Sequence, residues 1–461
     1  MRKLLLATVA SMGALLAAGG ANAQPVKPVA PGTIVVHLNG YLQFEIADFG
    51  STDNTVGLAK LNPISADGDV RLYPGFDAQT INGIDYGAQV ELRTATSDNT
   101  NGSNSKSGSY TSNPNGVSSL FVRRAYGYIG TPDAGFIRGG QTDSAFGLLQ
   151  TGVIEAFGDG AQWNTYGGPA TIIPTDASVA GSNQFIYADQ SNLYATDKIV
   201  YLSPTFFGFS GAVGFEPNSN GIGSGYGNCA GASTNNSSTS SAAQLTCADV
   251  SASPDAANIG KERKNTIDAA VEYVLKANGF ATKANFGILH GSPISYDGAP
   301  VALGASALHN GYDELNVYQF GAQTTFAGLT VGANIKTGQT LDGYTFKPKG
   351  ARDAFAYIIG ADYVVGPYVV GASFFDSQSA GAYYPGDTFT VGTKKYAVAR
   401  TLGEYGLAVG GNYVVGKDLS LFVQYMYDHR QQHGNSGLDL NSAVKGVSQA
   451  QIIATGATFK W

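Results

Sequence analysis

Apolar and polar side chains alternate with a period of two along most of this chain. Over residues 36–46 one face carries Val36, Leu38, Gly40, Leu42, Phe44 and Ile46; the other carries His37, Asn39, Tyr41, Gln43 and Glu45. Successive side chains of a strand point to opposite faces, so this segment predicts a strand with one apolar and one polar side. Leu419, Leu421, Val423, Tyr425 and Tyr427 alternate in the same way with Ser420, Gln424 and Asp428, and the final segment repeats the apolar phase with Ile453, Thr455, Ala457, Phe459 and Trp461. Two segments are less regular. Residues 71–77 include Pro74 and Gly75, which predict a bend or bulge. Residues 121–129 mix both phases and leave open which of Arg123 and Arg124 faces inward.

Soluble sandwiches also alternate, so the connections have to decide the fold. Tight turns fall near 81–85, 131–135, 204–208, 277–279, 327–328, 365–367 and 416–418. Between them lie long polar stretches, about 50–68, 97–116, 144–193, 218–264, 292–312, 338–351, 377–401 and 429–447. Seven turns and eight loops make fifteen connections, hence sixteen strands. Short turns on one side, long loops on the other and an even strand number predict an all-β transmembrane antiparallel barrel. Closure satisfies every backbone hydrogen bond without water, and sixteen strands can enclose an aqueous channel.

Composition and the first residues agree. Only 13% of residues are charged, while Gly reaches 62, Tyr 26 and Phe 23; this is a turn-rich, aromatic-rich chain poor in helix formers. Arg2 and Lys3 precede an apolar run from Leu4 to Ala18, and Ala21-Asn22-Ala23 offers a small-x-small cleavage site. The expected division is a signal peptide over 1–23, a Pro-rich lead-in over 24–32 and a barrel over 33–461. The net charge of −7 becomes −9 if Arg2 and Lys3 leave with the leader. That balance argues against nucleic acid and leans towards cations as traffic.

The third long loop, 144–193, exceeds an ordinary connection. It contains Glu155-Ala156-Phe157-Gly158-Asp159-Gly160, which resembles the P-E-F-G-G-D motif of the general diffusion porins of Gram-negative bacteria. Asp77-Ala78-Gln79-Thr80-Ile81-Asn82-Gly83 with Tyr86-Gly87-Ala88-Gln89-Val90-Glu91-Leu92, and Lys198-Ile199-Val200-Tyr201-Leu202-Ser203-Pro204 with Gly208-Phe209-Ser210-Gly211, are similar to strand–turn–strand segments of those porins. Two departures are the terminal Trp461 in place of Phe and Ile154 before Glu155 in place of Pro. The resemblance implies a trimeric outer-membrane channel whose third loop folds inward and narrows the pore. Loop carboxylates would then face a basic wall and set a transverse field. Carried over residue by residue, the acids are Glu155, Glu91 and Asp159, and the bases Arg71, Arg93, Arg123 or Arg124, and Lys198.

Cys229 and Cys247 share the fourth long loop of an exported chain and predict a disulfide. Closing a loop of this length stabilises by ~3 kcal/mol on the chain-entropy account. His429 and His433 read as surface polar residues without a metal, and Gly221 to Gly227 as a flexible loop that holds no phosphate. The five histidines, at 37, 290, 309, 429 and 433, accompany no nucleophile motif, so no enzyme and no cofactor is expected. The expected partners are outer-membrane lipid and lipopolysaccharide, further copies of the chain, and small hydrophilic solutes and ions. A selective porin for sugars or organic anions, or a plugged barrel acting as an adhesin, are the alternatives.

Overall fold

The structure, a computed structural model, describes residues 30–51, 55–56, 59–60, 62–94, 120–160, 162–163, 196–218, 263–293, 312–340, 344, 346–347, 349–380, 388–391, 394–397, 401–433 and 446–461. The leader, Cys229, Cys247, Gly221 to Gly227, His309 and the later part of the third loop lie outside the described residues.

Sixteen strands form one closed antiparallel barrel. They are β1 (Ile34–Ser51), β2 (Ile64–Gln79), β3 (Asp85–Thr94), β4 (Leu120–Thr131), β5 (Gly135–Gln141), β6 (Asp197–Leu202), β7 (Phe209–Asn218) and β8 (Arg263–Ala277). The second half comprises β9 (Phe280–Pro293), β10 (Leu315–Phe326), β11 (Leu329–Gln339), β12 (Ala354–Val365), β13 (Tyr368–Ser379), β14 (Thr401–Val414), β15 (Leu419–His433) and β16 (Gly446–Lys460). Each strand pairs with its neighbours in sequence, and β1 also pairs with β16. Two short hairpins, Thr55–Val56 with Ala59–Lys60 and Thr388–Val391 with Lys394–Ala397, decorate loops. The single helix among the described residues, α1 (Ala145–Leu148), opens the third loop.

The two faces of the barrel are the reverse of a soluble core. On β1 the apolar set Val36, Leu38, Leu42, Phe44 and Ile46 is exposed, while His37, Asn39, Tyr41, Gln43 and Glu45 face the interior and are half-buried. Exposed Val, Ile, Leu and Phe recur on the outer face of strand after strand. Such a surface is stable only against lipid. Aromatic pairs mark both rims of the outer face. Phe209 with Tyr273, Phe280 with Phe326 and Tyr368 with Tyr413 lie near the short turns. Tyr357 with Phe374, and Tyr405 with Tyr427 and His429, lie near the long loops. Two such girdles fit the headgroup levels of a bilayer.

Three irregular places have a physical reason. The register between β3 and β4 shifts at Glu91/Leu92: Arg124 opposes Glu91 and Val122 opposes Leu92, which leaves Arg123 as the extra residue of a bulge. The bulge lets both Arg123 and Arg124 reach Glu91, which is why the alternation there is mixed. At Pro74 no bulge forms. The β2–β3 ladder keeps its register but pairs neither Tyr73 nor Pro74, so the proline meets no demand for an N–H. His429 belongs to β15 and not to a loop, because that strand continues to His433.

Closure is made where β1 meets the chain end. Gly40 N donates to Trp461 O at 3.1 Å and Trp461 N to Gly40 O at 3.2 Å. The Trp461 indole covers Gly40 on the lipid face, and a Cβ there would stand 2.0 Å from the ring. Gly40→Val should therefore displace the indole at an overpacking cost of about 1–3 kcal/mol. Refolding into detergent, read as the heat-dependent shift of the folded band on a gel, should give a lower yield and a lower melting temperature than wild type.

Candidate functional site

The third loop enters the barrel and follows the inner wall from β8 round to β15. Ser144 caps α1, its side chain accepting from Gly147 N. Phe146 N donates to Asp268 of β8 at 2.8 Å, and Phe146 O accepts from Gln319 of β10 at 2.6 Å. Asn334 of β11 donates to Thr151 O at 2.7 Å, and Trp163 Nε1 donates to Ser373 of β13 at 2.9 Å. Asn412 of β14 donates to Gly158 O at 2.6 Å, and Asp159 N donates to Gln424 of β15 at 3.0 Å. Inward-pointing amides and the Asp268 carboxylate thus satisfy the backbone of the loop's described residues, which pair with no strand.

Close approach is possible because the wall under the loop lacks side chains. A Cβ on Gly321 would meet Thr151 O at 2.0 Å, and one on Gly371 would meet Phe157 Cδ1 at 2.3 Å; Gly332, Gly360 and Gly406 leave similar room for Ile154 and Trp163. Within the loop, Gly152 (φ +87°) lies against Ala333 O and Gly158 (φ +59°) against Gln424, positions where both the dihedral and the space require glycine. Phe146, Ile154, Phe157 and Trp163 then bury against wall residues such as Ile358 and Phe375, forming an apolar cluster inside the barrel. A second segment joins it. Tyr344 and Phe346, from the connection between β11 and β12, are buried in that cluster, and Tyr344 meets Phe146 edge-on at 5.9 Å.

The arc β16–β1–β2–β3–β4 is the part of the wall opposite this loop, and cations concentrate there. Arg71 of β2 is held by Asp69 at 2.5 Å and lies 4.8 Å over the Tyr41 ring. In register beside it, Arg93 of β3 donates to Glu91 at 2.5 Å. Arg123 adds a contact to Glu91 at 3.2 Å, and Arg124 bridges Glu91 and Asp143. Lys460 of β16 reaches over Tyr41 at 6.0 Å. Among the described residues, the four arginines Arg71, Arg93, Arg123 and Arg124 meet Asp69, Glu91 and Asp143.

The expected site residues divide into three groups. Arg71, Arg93, Arg123 and Arg124 lie together on one wall, and Glu91, only 1% exposed, lies among them instead of facing them. Glu155 and Asp159 are on the loop. Glu155 is half-buried, accepts from Trp163 N at 3.1 Å, and burial raises its pKa to about 8, with Asp159 adding to the rise and the Trp163 N–H and Lys336 opposing it. Lys198 is elsewhere. It is buried behind the loop root, donating to Thr142 O at 2.8 Å and Thr196 Oγ1 at 2.7 Å, with Glu216 at 3.6 Å shared with Arg263. Sequence reasoning did not pick out Asp143, Lys460 or Arg138. Lys460 could have been found, since it shares the polar phase of β16; Asp143 carries no signal outside the folded register.

The family whose description is Gram-negative porin matches residues 7–433. Among solved structures, a mutant of the Rhodopseudomonas blastica porin overlays at a TM-score of 0.46 with 13% identity, covering 93% of this chain and 100% of that one. A loop-deletion mutant of OmpT, an outer membrane protein of Vibrio cholerae, overlays at 0.47 with 10% identity, covering 93% and 99%. No curated protein matches the chain.

The glycine floor makes a sharp expectation. Gly371→Leu should push Phe157 and the loop off the wall towards the arginines, narrowing the remaining passage. Single-channel recordings in KCl should show smaller steps than wild type, whereas an equal change on the lipid face, Ala372→Leu, should leave them the same size.

Proposed function

The chain belongs to the Gram-negative porin family and forms an outer-membrane channel, and from that premise we propose that it is a general diffusion porin. Small hydrophilic solutes and ions would pass between the third loop and the arginine wall by passive diffusion. The observation that supports the reading is the course of the loop's described residues, which hydrogen-bond along β8 to β15, while the salt bridge to the β16 to β4 arc is at the loop root, where Arg124 reaches Asp143. The constriction would be formed by Glu155 and Asp159 on one side and Arg71, Arg93, Arg123 and Arg124, with Glu91 among them, on the other. Charges facing each other across so narrow a gap are weakly screened, so they orient water and polar solutes and disfavour apolar ones. Lys198 lies outside this gap and is better read as a strut for the loop root.

Assembly as a homotrimer, a leader removed after Ala23 and a Cys229–Cys247 disulfide complete the proposal; the family resemblance supports the trimer, and the residue patterns support the other two. An organic-anion preference is the second reading, favoured by the clustering of Arg71, Arg93, Arg123 and Arg124 on one wall.

Large, stable conductance steps in KCl from the refolded mature chain in a planar bilayer are the expected result. Folded, inserted protein without steps would instead support the plugged barrel. Two further outcomes test the constriction. Arg124→Gln removes one cation from the wall and should raise the cation-to-anion permeability ratio about twofold, as one screened charge implies; reversal potential in a salt gradient reads it. Glu155, with its pKa raised to about 8, is mainly neutral below that pH and gains its charge above it. Cation preference should therefore rise as pH passes through about 8, and Glu155→Gln should abolish that step.

A further inference from the structure

Arg138 differs from every other buried arginine of the lumen. It lies on the inner face of β5, three residues above the turn at 131–135, opposite Tyr128 of β4 and Val200 of β6. It is only 8% exposed. Arg71, Arg93, Arg123, Arg124, Arg263 and Arg430 each have a carboxylate within salt-bridge distance. Among the described residues none pairs with Arg138. The nearby acids are engaged elsewhere: Asp77 accepts from the Tyr128 hydroxyl and lies 3.5 Å from His37, Asp85 accepts from Gln79, and Asp143 holds Arg124.

What does hold Arg138 is a ring. Its guanidinium carbon lies 5.0 Å over Tyr126, whose hydroxyl donates to Gln89 at 2.8 Å and is thereby fixed. Stacking on a ring occupies one face of a guanidinium and leaves its in-plane N–H groups for a planar, two-oxygen acceptor. A buried charge without a counter-ion is unfavourable, so the position favours an arriving anion. Arg138 also follows the arginine wall in space: Tyr126 is two residues below Arg124 on β4, a step of roughly 7 Å.

We propose that Arg138 and Tyr126 form a carboxylate subsite on the periplasmic side of the constriction, which receives the carboxylate of a small organic acid after it leaves Arg124. The subsite rests on the open-channel reading above, and it extends the arginine cluster of the wall into a two-stage path for organic anions.

The test uses the full mature chain in planar bilayers in KCl, with succinate added to each side in turn. Wild type should show brief, succinate-dependent blockades. Arg138→Gln should still form channels in KCl but shorten the blockades about tenfold, the loss expected for a charge-assisted fork. Arg138→Lys, which keeps the charge without the fork, should fall between, and Tyr126→Leu should shorten them by freeing the guanidinium. Equal blockades in wild type and Arg138→Gln, or none in a wild type that conducts KCl, would overturn the subsite. An absence of KCl steps from folded, inserted protein would remove the channel reading itself, and the subsite with it.

Discussion

Everything in this molecule hangs on backbone hydrogen bonds that have no alternative partner. Within a bilayer an unpaired N–H or C=O costs several kcal/mol, so a sheet can span only if it has no edge. The β1–β16 seam removes the last edge, and Gly40 and Trp461 set its register by exchanging both backbone bonds. A slip of one residue there would turn every side chain of β1 to the opposite face, placing Glu45 in lipid and Phe44 in the lumen. Outer apolar band, inner polar lining and seam are thus one constraint seen from three sides.

The third loop is held by the opposite logic. Once inside the barrel it lacks a sheet partner, and its polar backbone would be stranded without Asp268, Gln319, Asn334, Asn412 and Gln424. These wall residues occupy the inward phase of their strands, so the alternation that reads as a polar lining is, on β8 to β15, a docking surface for the loop. Apolar packing then adds what hydrogen bonds alone do not: Phe157 over Gly371 and Trp163 against Phe375 bury rings that would otherwise face pore water. The passage follows as what the loop leaves uncovered.

Strand number, alternation and the placement of turns and loops were legible because lipid and water impose a period of two on every strand, whatever its neighbours. Strand ends were less so: β15 runs on through His429, since pairing with β14 and β16 continues past the lipid-facing stretch. The bulge at Arg123 was visible only as mixed phase, because a one-residue insertion destroys the signal it would be read by. Arg93 and Glu91 could be placed on one face from their spacing of two, whereas Arg71 was placed by the family resemblance. That Glu91 neutralises the arginines instead of facing them depends on cross-strand register, which no single segment carries. Arg138 escaped notice because an arginine facing a pore looks the same in sequence with or without an acid across the strand.

Whole-chain charge and local charge point in opposite directions here, and physics favours the local one. The net −7 is spread over the whole chain, and charges farther from the pore than the ~8–10 Å screening length of physiological salt hardly reach it. Inside, Arg71, Arg93, Arg123 and Arg124 cluster on one wall around Asp69, Glu91 and Asp143, in a space walled by low-dielectric protein. On the loop side Glu155 is held partly neutral by its own burial. On the proposed reading an ion in transit would meet an arginine-lined wall in an acidic protein, and the acidity of the exterior would govern how often ions of each sign reach the mouth.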